Sequence, residues 1–172
     1  MRRPLTALAA AGVAACTCVV LAATASSAPE AGAPPCTLLA AKSGILASDL
    51  PMRVKHDAAG HAGTGIDRLI CRDLTSDGRK DMIASVYSGG ATGVEAWVFF
   101  RAALKGWRLS FSRTRLVLAQ VRVSGSAVIE TDPVYRVGDK RPCCPTGGQK
   151  HLRFQWQRGA MVKVRVWHTR GA

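Results

Sequence analysis

Leu152-Arg153-Phe154-Gln155-Trp156-Gln157-Arg158-Gly159-Ala160-Met161-Val162-Lys163-Val164-Arg165-Val166-Trp167 alternates apolar and polar residues on both sides of a glycine. A period of two is the signature of a strand with one buried face, and a glycine between two such runs supplies a hairpin turn. On this reading Leu152, Phe154 and Trp156 share one face with Val162, Val164 and Val166, while Arg153, Lys163 and Arg165 point outward. Upstream, Trp107, Leu109 and Phe111 alternate with Arg108, Ser110 and Ser112. Leu116 to Val123 and Ala127 to Glu130 supply further strands, with Gly106, Gly125 and Gly159 beside the runs. Met82 to Tyr87 and Val94 to Phe100 are more continuously apolar, which places them centrally in the sheet.

Before the strands, Cys36 to Leu50 carries Leu38, Leu39, Ala41 and Leu46 and is closed by Pro51, so a short helix is expected there. Met52 to Gly65 lacks periodicity, is rich in glycine and histidine, and reads as a loop in which His56 and His61 are exposed polar residues. The expected fold is therefore α+β: a mainly antiparallel meander with a short N-terminal helix on its apolar face.

The N-terminus addresses the compartment. Arg2 and Arg3 precede an apolar run from Leu5 to Ala23 that ends in small residues, the layout of a secretory signal peptide over residues 1–28. Lipidation at Cys16, within Val13-Ala14-Ala15-Cys16, is the alternative address. A proline- and alanine-rich linker (29–35) then leads to one domain (36–172), with no later segment long enough to span a bilayer. Loss of the leader leaves Cys36, Cys71, Cys143 and Cys144, an even number that suits disulfides in an exported chain. Adjacent cysteines seldom bond each other, so the expected plan ties Cys36 and Cys71 separately to Cys143 and Cys144. A vicinal redox or soft-metal site at Cys143-Cys144 is the other possibility, although Pro142 and Pro145 flank it and no Cys-x-x-Cys spacing is present.

The formal charge is +13, and without the two leader arginines it is +11. Outside a cell such a charge favours polyanions, here anionic envelope polymers rather than a specific nucleic acid. The candidate polyanion-binding residues are Arg108, Arg153, Lys163 and Arg165, placed by alternation on one face, with Trp167 as a stacking surface.

Asp73-Leu74-Thr75-Ser76-Asp77-Gly78-Arg79-Lys80-Asp81 sets oxygen-bearing side chains at loop positions 1, 3, 5 and 9 with glycine at 6. Calcium takes six to eight oxygens, so the candidate ligands are Asp73, Thr75, Asp77, the Arg79 carbonyl and Asp81. Position 12 holds Ala84 in place of a bidentate acid. The loop resembles the FG-GAP or integrin-type calcium loop, in a single copy without the repeats of a propeller. More broadly, Asp132-Pro133-Val134-Tyr135, Cys143-Cys144-Pro145-Thr146-Gly147-Gly148 and Leu152 to Trp156 resemble uncharacterised exported actinobacterial proteins, distantly similar to LppP/LprE-type envelope lipoproteins. That resemblance implies a secreted envelope protein and carries over no catalytic residue.

No catalytic set is legible: there is no Gly-x-Ser-x-Gly elbow, His-Glu-x-x-His or phosphate loop. His151 and His168 sit at strand ends, and Ser88-Gly89-Gly90-Ala91-Thr92-Gly93 reads as a hairpin loop. A hydrolase of envelope polymers, the alternative function, needs a titratable pair drawn from Glu95, Glu130, Asp132 and Asp139.

Overall fold

The computed structural model describes residues 33–61, 63–140 and 144–171. The leader, most of the linker and Cys143 lie outside them. Two helices, α1 (Leu38–Leu46) and α2 (Met52–Ala58), precede eight strands: β1 (Gly65–Arg72), β2 (Asp81–Tyr87), β3 (Val94–Ala103), β4 (Gly106–Arg113), β5 (Gln120–Ser124), β6 (Ala127–Pro133), β7 (Gln149–Gln157) and β8 (Ala160–Thr169). They form two four-stranded antiparallel meanders, β1-β2-β3-β4 and β5-β6-β7-β8. The expected class holds, but the single meander is two stacked sheets.

The first sheet is buried on both faces. On one side Met82, Ala84, Val86, Ala96, Val98 and Phe100 pack beneath Ala41, Ile45, Leu50, Val54 and Ala58 of the helical layer. On the other, Ile83, Trp97 and Phe99 meet Val121, Val128, Leu152, Phe154 and Met161 of the second sheet. This explains why β2 and β3 are continuously apolar: alternate residues serve two different cores. Between the sheets the rings of Trp97, Phe111 and Phe154 lie 5.1–5.5 Å apart, tilted or edge-on, as ring quadrupoles prefer.

The expected helix proves to be two. Thr37 caps α1, its hydroxyl accepting from the Ala40 N–H, and the helix ends at Leu46. Pro51 opens α2 instead of closing α1, since a fixed φ suits a first turn and no amide is needed there. The segment expected as loop hides α2 because only Val54 and Ala58, four apart, carry its apolar face. The Lys42 ammonium donates to the Ala59 carbonyl at 2.6 Å and ties the helices together.

The disulfide plan is corrected. Cys36 and Cys71 bond each other (S–S 2.04 Å), fastening the start of α1 to the end of β1. Cys144 is also disulfide-bonded, and therefore not to either of them. The face expected of the last strand is corrected too. Arg158 and Gly159 both have positive φ (50° and 82°), which gives a two-residue turn pairing Gln157 with Ala160 and hence Trp156 with Met161. Met161, not Val162, is then buried. A bulge follows, because Arg153 pairs with Arg165 and Phe154 with Lys163, leaving Val164 without an opposite residue. Val164 and Val166 end up 39% and 42% exposed.

The Gly147-Gly148 pair has a structural use. Gly147 donates to the Val134 carbonyl (2.8 Å), Gly148 accepts from the Val134 N–H (2.9 Å), and Gly148 has φ +88° with the Thr169 carbonyl against its Cα. A Cβ on Gly148 collides with backbone, whereas one on Gly159, at φ +82°, meets nothing within 4 Å. Gly148→Ala is therefore expected to lower the urea midpoint well beyond Gly159→Ala, whose cost is the positive φ alone, of order 1 kcal/mol.

Candidate functional site

Pairing registers decide what the second sheet shows to solvent. Val121, Glu130 and Leu152 form one cross-strand row facing the first sheet, so the neighbouring row, Arg122, Ile129, Arg153 and Arg165, faces out. The next outward row is Gln120, Thr131, His151 and Trp167. Trp167 stacks on His151 (ring centroids 4.9 Å, 16° between planes), and the Arg165 guanidinium lies over Trp167 at 5.4 Å. The His151 ring also bridges the Thr131 and Thr169 hydroxyls at 3.0 and 3.1 Å. Its pKa is lowered, first by burial and then by the charges of Arg122 and His168. Among the described residues no carboxylate lies in these two rows, and no ion pair involves Arg122, Arg153 or Arg165.

Of the residues selected from sequence, Arg153, Arg165 and Trp167 come together here. Arg108 does not: it lies on β4 of the first sheet, opposite Arg101. Lys163 is also set apart, because the bulge pairs it with the buried Phe154 on the opposite side of β8. Arg122 and His151 complete the face instead. Alternation in Gln120-Val121-Arg122-Val123 already pointed Arg122 outward, but its neighbours across the sheet follow only from the register.

The four candidate acids go to three places. Glu130 is fully buried between the sheets, where Arg113 grips it with two donors (2.8 and 3.1 Å) and the Trp97 Nε1–H donates to it. Asp132, two residues along the same face, has its pKa pushed up to about 6 by burial and then by Glu130, with Arg113 and Lys150 opposing. Glu95 lies apart, facing α2, with its Oε2 2.8 Å from Arg53 Nε and its Oε1 buried without a partner. Burial, then the closeness and charge of Asp57, raise its pKa to about 7, against the pull of Arg53; Asp57 lies near Glu95 without the geometry of a hydrogen bond. Asp139 is a loop acceptor for the Arg136 and Thr146 amides and the Thr146 hydroxyl. The structure thus contains two acid pairs, Glu130 with Asp132 and Glu95 with Asp57, each beside one arginine.

The aspartate loop is folded on its own amides. Asp73 accepts from the N–H groups of Ser76, Asp77 and Gly78, and Asp81 Oδ2 from those of Leu74 and Thr75. Asp77 meets the guanidinium groups of Arg79 (2.9 Å) and Arg101 (3.4 Å), and its pKa is lowered chiefly by Arg79. Two buried oxygens are left over, Asp81 Oδ1 and Thr75 Oγ1. Thr75 lies near enough to Asp77 and Asp81 to ease their ionisation, without the geometry of a hydrogen bond to either. Burial raises the pKa of Asp81. Among the described residues no group of three or more His, Cys, Asp or Glu side chains is disposed to hold a metal, although the His56 and His61 rings approach to 5.1 Å.

No protein-family model matches the chain, and no curated protein or solved structure is similar to it.

The raised acids have a measurable consequence. Folding makes Glu95 and Asp132 bind their protons more tightly than the ordinary values of 4.5 and 3.8. Their contribution to stability is full below those values and is withdrawn as pH rises through about 6 to about 7. Urea unfolding is expected to show stability falling across that window, and Glu95→Gln with Asp132→Asn to flatten the fall.

Proposed function

We propose that this protein is a binding module of the cell exterior that recognises anionic envelope polymers on the outer face of its second sheet. The observation that supports this reading is the row of Arg122, Arg153 and Arg165 on a face without a carboxylate among the described residues, flanked by the Trp167–His151 stack. Arginine forks suit phosphate groups, and a stacked aromatic pair offers a flat surface to a sugar or an acyl ester. The signal-peptide layout and the net charge of +11 without the two leader arginines point the same way.

The test is retention on an immobilised glycerol-phosphate polymer as a function of salt. Replacing Arg122, Arg153 and Arg165 together with glutamine is expected to cut affinity by an order of magnitude or more at low salt. The slope of log K against log salt should flatten by about 2, near 0.7 per phosphate contact as for a flexible single-stranded polyanion. Arg108→Gln with Lys163→Gln removes two charges elsewhere and is expected to change far less. Equal losses from the two sets, or retention indifferent to salt, would overturn the assignment.

A calcium role for the Asp73–Asp81 loop is a second reading, favoured by the two unsatisfied oxygens Asp81 Oδ1 and Thr75 Oγ1. Occupancy requires Asp77 to release Arg79, so Arg79→Ala, which keeps the carbonyl and removes the competing charge, is expected to strengthen it. At calcium a hundredfold above its Kd the stabilisation is about 2.7 kcal/mol, a rise of several degrees in melting temperature that Asp81→Asn should abolish. No shift in either the wild type or Arg79→Ala leaves a turn and nothing more.

A further inference from the structure

Thr114 to Val117, the start of the crossing from the first sheet to the second, walls a cleft of about 380 Å³ whose other side is the first turn of α2. Glu95 lies in this cleft because β3 carries a bulge there: Val86 pairs with Ala96 and Tyr87 with Val94, so Glu95 has no opposite residue and is turned toward the helix. The bulge is held from both sides, the Glu95 carbonyl accepting from Leu116 N–H (2.9 Å) and the Thr92 carbonyl from Leu118 N–H (2.8 Å). Glu95 is only 5% exposed, and its Oε1 has no hydrogen-bond partner. Arg115 stands at the cleft with φ +62°, exposed, and in no ion pair among the described residues. Val54 and Leu116 supply apolar wall.

We propose that this cleft binds a free α-amino acid with an apolar side chain. Its ammonium would donate to Glu95 Oε1 and the neighbouring Asp57, its carboxylate would meet Arg115, and its side chain would lie against Val54 and Leu116. Charge balance favours a zwitterion over an ion of either sign. Near neutral pH the Glu95–Asp57 pair holds a proton beside Arg53; an ammonium displaces that proton and answers the charge it leaves, and Arg115 then answers the ligand's own carboxylate. A divalent metal is poorly suited, since Glu95 is the one carboxylate among the residues lining the cleft and the Arg53 guanidinium already occupies one of its oxygens. The volume falls in the range of small-ligand sites. The charged groups around the pair are Arg53, Arg115 and, 3.4 Å from Asp57, His56.

Calorimetric titration of the full chain with L-leucine, N-acetyl-L-leucine and isopentylamine tests this. Leucine is expected to bind, N-acetyl-leucine to bind at least tenfold more weakly because it lacks the ammonium, and Arg115→Gln to weaken leucine while leaving isopentylamine unchanged. Leucine binding at pH near 6 should release a proton from the acid pair, so the heat should vary with the ionisation enthalpy of the buffer. Glu95→Gln should abolish leucine binding with its circular dichroism unchanged; if that variant fails to fold, Arg115→Gln with the three ligands decides. N-acetyl-leucine binding as well as leucine would show an anion site at the arginines and overturn the proposal, as would no heat with millimolar leucine. The outer face of the second sheet is untouched by these variants, so failure here leaves the polymer reading standing.

Discussion

β3 has no free face, and most of the architecture follows from that constraint. Trp97 and Phe99 face one core and Val98 and Phe100 the other, all at 1% exposure or less. Full burial of each such side chain contributes about 1.5–3 kcal/mol, but only if both sides are covered. The chain therefore supplies a helical layer from before the strand and a second sheet from after it. An indole buried so completely needs an acceptor for its N–H, and Glu130 provides it. A carboxylate buried in turn needs a cation, and Arg113 reaches in from β4 with two donors. One apolar strand thus dictates a cross-sheet ion pair two steps away.

The same logic distributes the charges. Most of the eleven acids are consumed by the fold: Asp57, Asp81, Glu95 and Glu130 are buried, while Asp73 and Asp139 accept loop amides. The arginines and lysines have no comparable sink, since long cationic side chains settle at surfaces with their stems along apolar neighbours. The net charge of +13 therefore understates how positive the outside is. Ile129 illustrates the arrangement, being 2% exposed in the outward row between Arg122 and Arg153.

Much of the strand layout was legible because period-two runs are local: the Trp107 to Phe111 and Leu152 to Trp156 runs fall in strands β4 and β7, and the continuous runs are the doubly buried β2 and β3. What escaped was set by register or by distance. One unpaired residue, Val164, moved Lys163 off the face where plain alternation put it. Helix α2 escaped because seven residues hold too few apolar positions to show a period. The Cys36–Cys71 bond was misassigned because spacing along a chain says nothing of which segments a sheet makes neighbours. For the acids, Glu130 and Asp132 are adjacent by alternation, but the approach of Asp57 to Glu95 required both an unforeseen helix and an unforeseen bulge.

The bulges at Glu95 and Val164 act where polar chemistry must be placed on strands otherwise committed to packing. At Glu95 the extra residue turns a carboxyl away from the ladder and toward the helix; at Val164 it keeps Arg165 outward while Met161 remains in the core. A regular strand in either place forces a choice between burying the charge and exposing the core. The two features also lie on different layers, the Glu95 cleft at the helical side of the first sheet and the arginine row on the far side of the second. They share no residue and no hydrogen bond, so substitutions at one are expected to combine additively with substitutions at the other.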